Sequence, residues 1–177
     1  MVKMLLRRDD VNPDSTDKSS QTPLSYAGES GDEGVVNALL ERGNVNPNSS
    51  DKIGRTPLSY AASRGREGVV KALLQRGDIN PGLSDEYGRT PLSYSSQWGE
   101  ERIVRMLLER EDANPSLSDK NGQVPLFYAA ESGHQGVVEM LLERRNVNRY
   151  PEVLFMIALF LSSFLIFSSP FPFPFSS

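Results

Sequence analysis

One segment of 34 residues, DKIGRTPLSYAASRGREGVVKALLQRGDINPGLS from Asp51 to Ser84, recurs in this chain, with copies beginning at Asp17, Asp51, Asp85 and Asp119. A fixed period of this kind means that one supersecondary unit has been copied and stacked, so that each unit touches only its neighbours. The fold expected is a solenoid, and its function is to be sought on a surface. In this register residues 1–16 are a partial unit, 17–50, 51–84, 85–118 and 119–149 are four units, and 150–177 form a tail of different composition.

The chemistry within one unit predicts two helices and a loop. Thr56 stands where an N-cap oxygen is wanted and Pro57 where a missing N–H costs nothing, while Leu58, Ala61 and Ala62 share a helical face. Gly65 suits the left-handed conformation that ends this helix, and Val69, Val70, Leu73 and Leu74 mark the buried side of a second. Glu33, Glu67 and Glu101 lie near the start of that second helix and Arg42, Arg76, Arg110 and Arg144 near its end, as the helix dipole prefers. Asn46-Pro47, Asn80-Pro81 and Asn114-Pro115 break the chain between units, and Asp51 to Gly54 reads as a tight turn. Helices this short are marginal alone, so stacking must stabilise them. Ala27, Ala61, Ala62, Ala129 and Ala130 allow the first helices of successive units to approach closely.

The pattern D-x-x-G-x-T-P-L, then Y-A-A, G, V-V-x-x-L-L and x-N, running from residue 2 to about 149, resembles the ankyrin repeat. The wording TPLSYA with an Asn-Pro loop is similar to ankyrin arrays attached to large multidomain proteins of filamentous fungi. The chain departs from the usual pattern at Ser25, Ser59 and Ser93, where the family commonly has His, and its period is one residue longer. The resemblance implies an all-α array of helix-turn-helix units with turn-tipped loops, and a non-catalytic module that binds a partner protein on the concave face. Carried over position by position, that face comprises Lys52, Ile53 and Arg55, then Glu86, Tyr87 and Arg89, then Lys120 and Asn121 at the turn tips, with Arg64, Gln97 and Trp98 around the ends of the first helices. Trp98, the only tryptophan, stands where other units carry Ser30, Arg64 and Ser132. Two readings stay open: an interface anchor within a cluster of Tyr87, Arg89, Arg55 and Arg64, or a ring folded back over Ser95 and Ser96.

Other functions find little material. A net charge of −4 gives no field to recruit nucleic acid, and the absence of cysteine removes disulfides and thiolate metal sites. His134, the sole histidine, occupies a turn position where other units carry Asp32, Arg66 and Glu100, which reads as an exposed turn residue and not as a base or metal ligand. Carboxylates recur with the period instead of pairing, and GDEG, GREG and GEER lack the strand and Lys-Ser/Thr of a phosphate loop. The expectation is no enzyme, no cofactor and no metal, a protein partner of unknown identity, and a monomer if the array is capped. Met1 to Pro13 align with Val35 to Pro47, half a unit, so the array reads as a piece of something longer. The start of the chain carries no long apolar stretch, which makes the cytoplasm the default location.

The tail has no charge after Glu152, and Val153 to Phe167 is apolar. A helix of those 15 residues would span about 22 Å, and extension to Phe175 would approach the roughly 30 Å of a hydrocarbon core, with Arg144, Arg145 and Arg149 on the cytosolic side. A membrane tether through 153–175 is one reading. A translated pyrimidine tract is another, because every residue from Leu159 to Ser177 except Ile166 is Leu, Phe, Ser or Pro. An apolar lid over Val137, Val138, Leu141 and Leu142 is the third.

Overall fold

In a computed structural model, residues 12–144 are described, and among them lie eight helices in four antiparallel pairs. The first, or inner, helices are α1 (Pro23–Ser30), α3 (Pro57–Ser63), α5 (Pro91–Gln97) and α7 (Pro125–Glu131). The outer ones are α2 (Glu33–Leu40), α4 (Glu67–Leu74), α6 (Glu101–Leu108) and α8 (Gln135–Arg144). The chain is thus an all-α solenoid of helix-turn-helix repeats. No helix among the described residues is long and apolar enough to cross a membrane. The tail readings at 153–177 fall outside those residues.

Local chemistry accounts for the start of three inner helices. Thr22, Thr56 and Thr90 accept the N–H of Ser25, Ser59 and Ser93 at 3.1, 3.2 and 3.2 Å, and each hydroxyl also meets that serine's hydroxyl. The family's usual histidine is therefore replaced by a serine that closes the cap. In the fourth unit both partners change together, to Val124 and Phe127, and α7 begins without a side-chain cap. Gly31, Gly65, Gly99 and Gly133 follow the inner helices at φ between +66° and +85°, the left-handed geometry expected of them.

Turn tips need the same geometry. Gly54 lies at φ +84°, and a Cβ there would sit 2.9 Å from the Asp85 Cα of the next unit, so stacking as well as backbone strain demands glycine. The first unit has Ser20 at this position, at φ +62°, the one non-glycine residue with positive φ among those described. Ser20→Gly should raise the unfolding free energy by about 1 kcal/mol, the cost of a left-handed L-residue, and urea titration reads it directly.

Packing follows the period. Leu24, Leu58, Leu92 and Leu126 are fully buried in the inner row, as are Leu39, Leu73, Leu107 and Leu141 in the outer row. Leu74, expected on the buried face, is only half-buried at its margin. Inner helices meet each other more closely than outer ones do, because Ala27, Gly28, Ala61, Ala62, Ala129 and Ala130 keep their contact surfaces small.

Side chains tie repeat to repeat at the back. Arg76 forks onto Asp78 at 2.6 and 2.7 Å and donates at 3.0 Å to the Leu40 carbonyl that ends α2. Its role is thus to cap the previous repeat, beyond complementing the dipole of its own helix. Arg66 and His134 act similarly at the inner helix ends, reaching the carbonyls of Glu29 and Gln97, each at 3.1 Å. The expectation for His134 is corrected here: it is a half-buried bridge packed on Gly99, and not a freely exposed turn residue.

Candidate partner-binding face

The face is assembled from an aspartate at the start of each turn. Asp51 Oδ1 accepts the N–H groups of Ile53 and Arg55 at 3.0 and 2.9 Å, which closes the turn, and Oδ2 accepts the Tyr60 hydroxyl at 2.6 Å. The same Asp–Tyr pair, nine residues apart, occurs as Asp17–Tyr26, Asp85–Tyr94 and Asp119–Tyr128. Each pair locks a turn onto the inner helix behind it. Successive tips then join through the backbone: Lys52 N–H donates to Ser19 C=O, Glu86 to Ile53 and Lys120 to Tyr87, at 3.0, 2.7 and 2.9 Å. Turn tips and inner helices therefore form one continuous surface.

Its electrostatics are ordered by these pairs. Burial alone would raise the Asp51 carboxyl, but hydrogen bonds from Tyr60 and from the Arg55 and Ile53 N–H groups, with the Arg55 charge, hold it below the usual carboxylate range. Asp119 is lowered in the same way by Tyr128, Gln123 and Asn121 N–H and the Arg89 charge. The phenols move oppositely: burial, then the bond to the carboxylate, pushes Tyr60 and Tyr128 up to about 12. These tyrosines stay protonated at neutral pH and act as fixed donors.

Arginines fill the spaces between. The Arg55 guanidinium lies 4.4 Å from the Tyr60 ring centre and donates to its oxygen at 2.7 Å, while Gln21 donates to that oxygen from the preceding repeat at 2.6 Å. Arg89 reaches forward in the register used by Gln21 and lies 4.8 Å from the Tyr128 ring centre. Arg64 pairs with Glu29 of the preceding repeat at 2.8 Å.

The sequence-derived residues therefore part into two groups. Lys52, Glu86, Lys120, Asn121 and Arg64 are exposed, and Ile53 and Gln97 are half-buried. Tyr87 and Trp98 are 53% and 60% exposed, although both belong to large apolar types. Of the arginines expected around Trp98, Arg55 and Arg89 lie over the Tyr60 and Tyr128 rings and Arg64 pairs with Glu29, while Arg89 also donates to the side chain of Gln97, the residue before Trp98, at 3.4 Å. Trp98 is the C-cap residue of α5 and is largely exposed, while Ser95 and Ser96 in the helix before it are fully buried. The Ser96 hydroxyl is enclosed with no hydrogen-bond partner.

Sequence reasoning missed the four tyrosine hydroxyls. Their signal was present: aspartate and tyrosine recur nine residues apart in all four copies.

The model of ankyrin repeats (3 copies) matches residues 1–82 and 78–150. The chain belongs to the ankyrin-repeat family, whose members are generally protein–protein interaction modules. Comparison with curated proteins gives no match.

Proposed function

We propose that this chain is a non-catalytic adaptor, working in the cytoplasm, that binds a partner protein on the face of turn tips and inner helices, with Trp98 and Tyr87 as its anchors. The observation that carries this reading is the exposure of both rings in one repeat, Trp98 at 60% and Tyr87 at 53%, where no core position needs them. Lone exposed rings of this size lose free energy to water, and desolvated aromatic residues carry much of the energy at interfaces. The exposed side chains of Lys52, Glu86, Lys120 and Asn121 at the turn tips would supply the polar rim of this face.

The test separates binding from folding. Trp98→Ala should leave the melting temperature within a degree or two, as an exposed substitution does, while weakening partner binding by about 2 kcal/mol. Calorimetry of both quantities on the same protein reads the outcome. A large drop in melting temperature with unchanged affinity would make Trp98 a packing residue.

A further inference from the structure

We infer that the exposed Asp17–Tyr26 pair of the first repeat is a receptor for a guanidinium, and that the arginine it takes comes from a partner protein. The argument is internal to the chain. The Asp51–Tyr60 pair holds Arg55, which lies 4.4 Å from the ring centre, donates to the phenol oxygen at 2.7 Å and approaches the carboxylate at 3.3 Å. Tyr128 of the Asp119 pair carries Arg89 over its ring at 4.8 Å. Tyr94, half-buried, makes its bond to Asp85.

The first repeat builds the same half-site with no guanidinium on it among the described residues; the charge of Lys52 in the next turn acts on Asp17, but the Tyr26 ring carries no cation there. Asp17 Oδ1 accepts Ser19 and Gln21 N–H, each at 2.8 Å, and Oδ2 accepts the Tyr26 hydroxyl at 2.9 Å. Gln21, the donor at the position of Arg55, is spent on Tyr60 in the next repeat. Tyr26 is 50% exposed where Tyr60 and Tyr128 are 3% and 2% exposed. Its oxygen keeps acceptor capacity, Oδ2 of Asp17 has room for the second contact that Arg55 makes on Asp51, and the ring face is open to a cation. A planar guanidinium satisfies all three at once, which an ammonium does not.

This inference rests on the partner-binding reading only for the source of the arginine. The probe is N-acetyl-arginine amide, titrated into the full chain carrying ¹³C-labelled tyrosine rings, with N-acetyl-lysine amide as comparison. The Tyr26 resonances should shift saturably and at lower concentration of the arginine probe, while those of Tyr60 and Tyr128 stay put. Asp17→Asn keeps an oxygen for the Ser19 and Gln21 N–H groups and should weaken binding about threefold, the scale of an exposed ion pair. Tyr26→Phe, read through the Ser19 and Gln21 amide resonances, leaves the aspartate turn intact and should weaken it less. A Tyr26 shift no larger than that of equally exposed Tyr87, or unchanged affinity in both variants, overturns the assignment. Failure here leaves the Trp98 surface standing, and failure at Trp98 leaves this subsite standing.

Discussion

Leu73→Ala in α4 is expected to lower the unfolding free energy by about 2–5 kcal/mol, the range for removing a fully buried leucine from a core that relaxes only in part. The loss should spread, because α4 lies between α2 and α6 and each repeat is stabilised by its two neighbours. Leu74→Ala, one residue on, removes a half-buried side chain and should cost markedly less. Chemical denaturation of the two variants checks the pair, and equal losses would mean that the inward face of α4 is misassigned. Circular dichroism of the parent should show helix without a strand signature.

Asp51→Ala is expected to cost about 3 kcal/mol, from a substitution that changes no apolar packing. The carboxylate is nearly enclosed and serves the Ile53 and Arg55 N–H groups, the Tyr60 hydroxyl and the Arg55 guanidinium, and all four lose their acceptor together. Asp51→Asn keeps Oδ1 for the turn and should cost less. The same pairs set an acid limit. Asp51 and Asp119 have folded-state pKa values below the unfolded value, so their stabilisation is complete above about pH 5, begins to fail as pH falls through about 4, and is lost once pH drops through the lowered folded values. Melting temperatures measured from pH 7 to 3 should show a plateau and then a fall, and the fall should be shallower in Asp51→Ala.

What could be read in the sequence was whatever repeats with a local cause. Thr56 before Pro57, Gly65 after the inner helix, and the Val-Val-x-x-Leu-Leu face each act within a few residues of themselves, and the observed caps, left-handed glycines and buried rows follow from them. Contacts that cross between repeats were not legible. His134 as a bridge to Gln97, Arg76 as a cap on Leu40 and Arg89 lying on Tyr128 all depend on which neighbour the stacking brings within reach. The arginines expected around Trp98 illustrate the difficulty: position in the unit does not tell that Arg55 and Arg89 lie over the Tyr60 and Tyr128 rings or that Arg64 pairs with Glu29. Sequence also gave no warning that Ser20 would take the backbone conformation of the glycines at 54, 88 and 122, since that conformation is imposed by the turn and its stacked neighbour.

The central claim, that one face of the array is the binding surface, is tested most directly by placing a photo-crosslinking amino acid at Trp98 or Tyr87 and, in separate proteins, at the exposed outer-helix positions Lys71 and Glu139. Irradiation in the native cell should join the same partner to the chain from positions 98 and 87 and not from 71 or 139. Crosslinks formed from 71 and 139 to one partner, with none from 98 or 87, would put the interface on the outer helices and contradict the account.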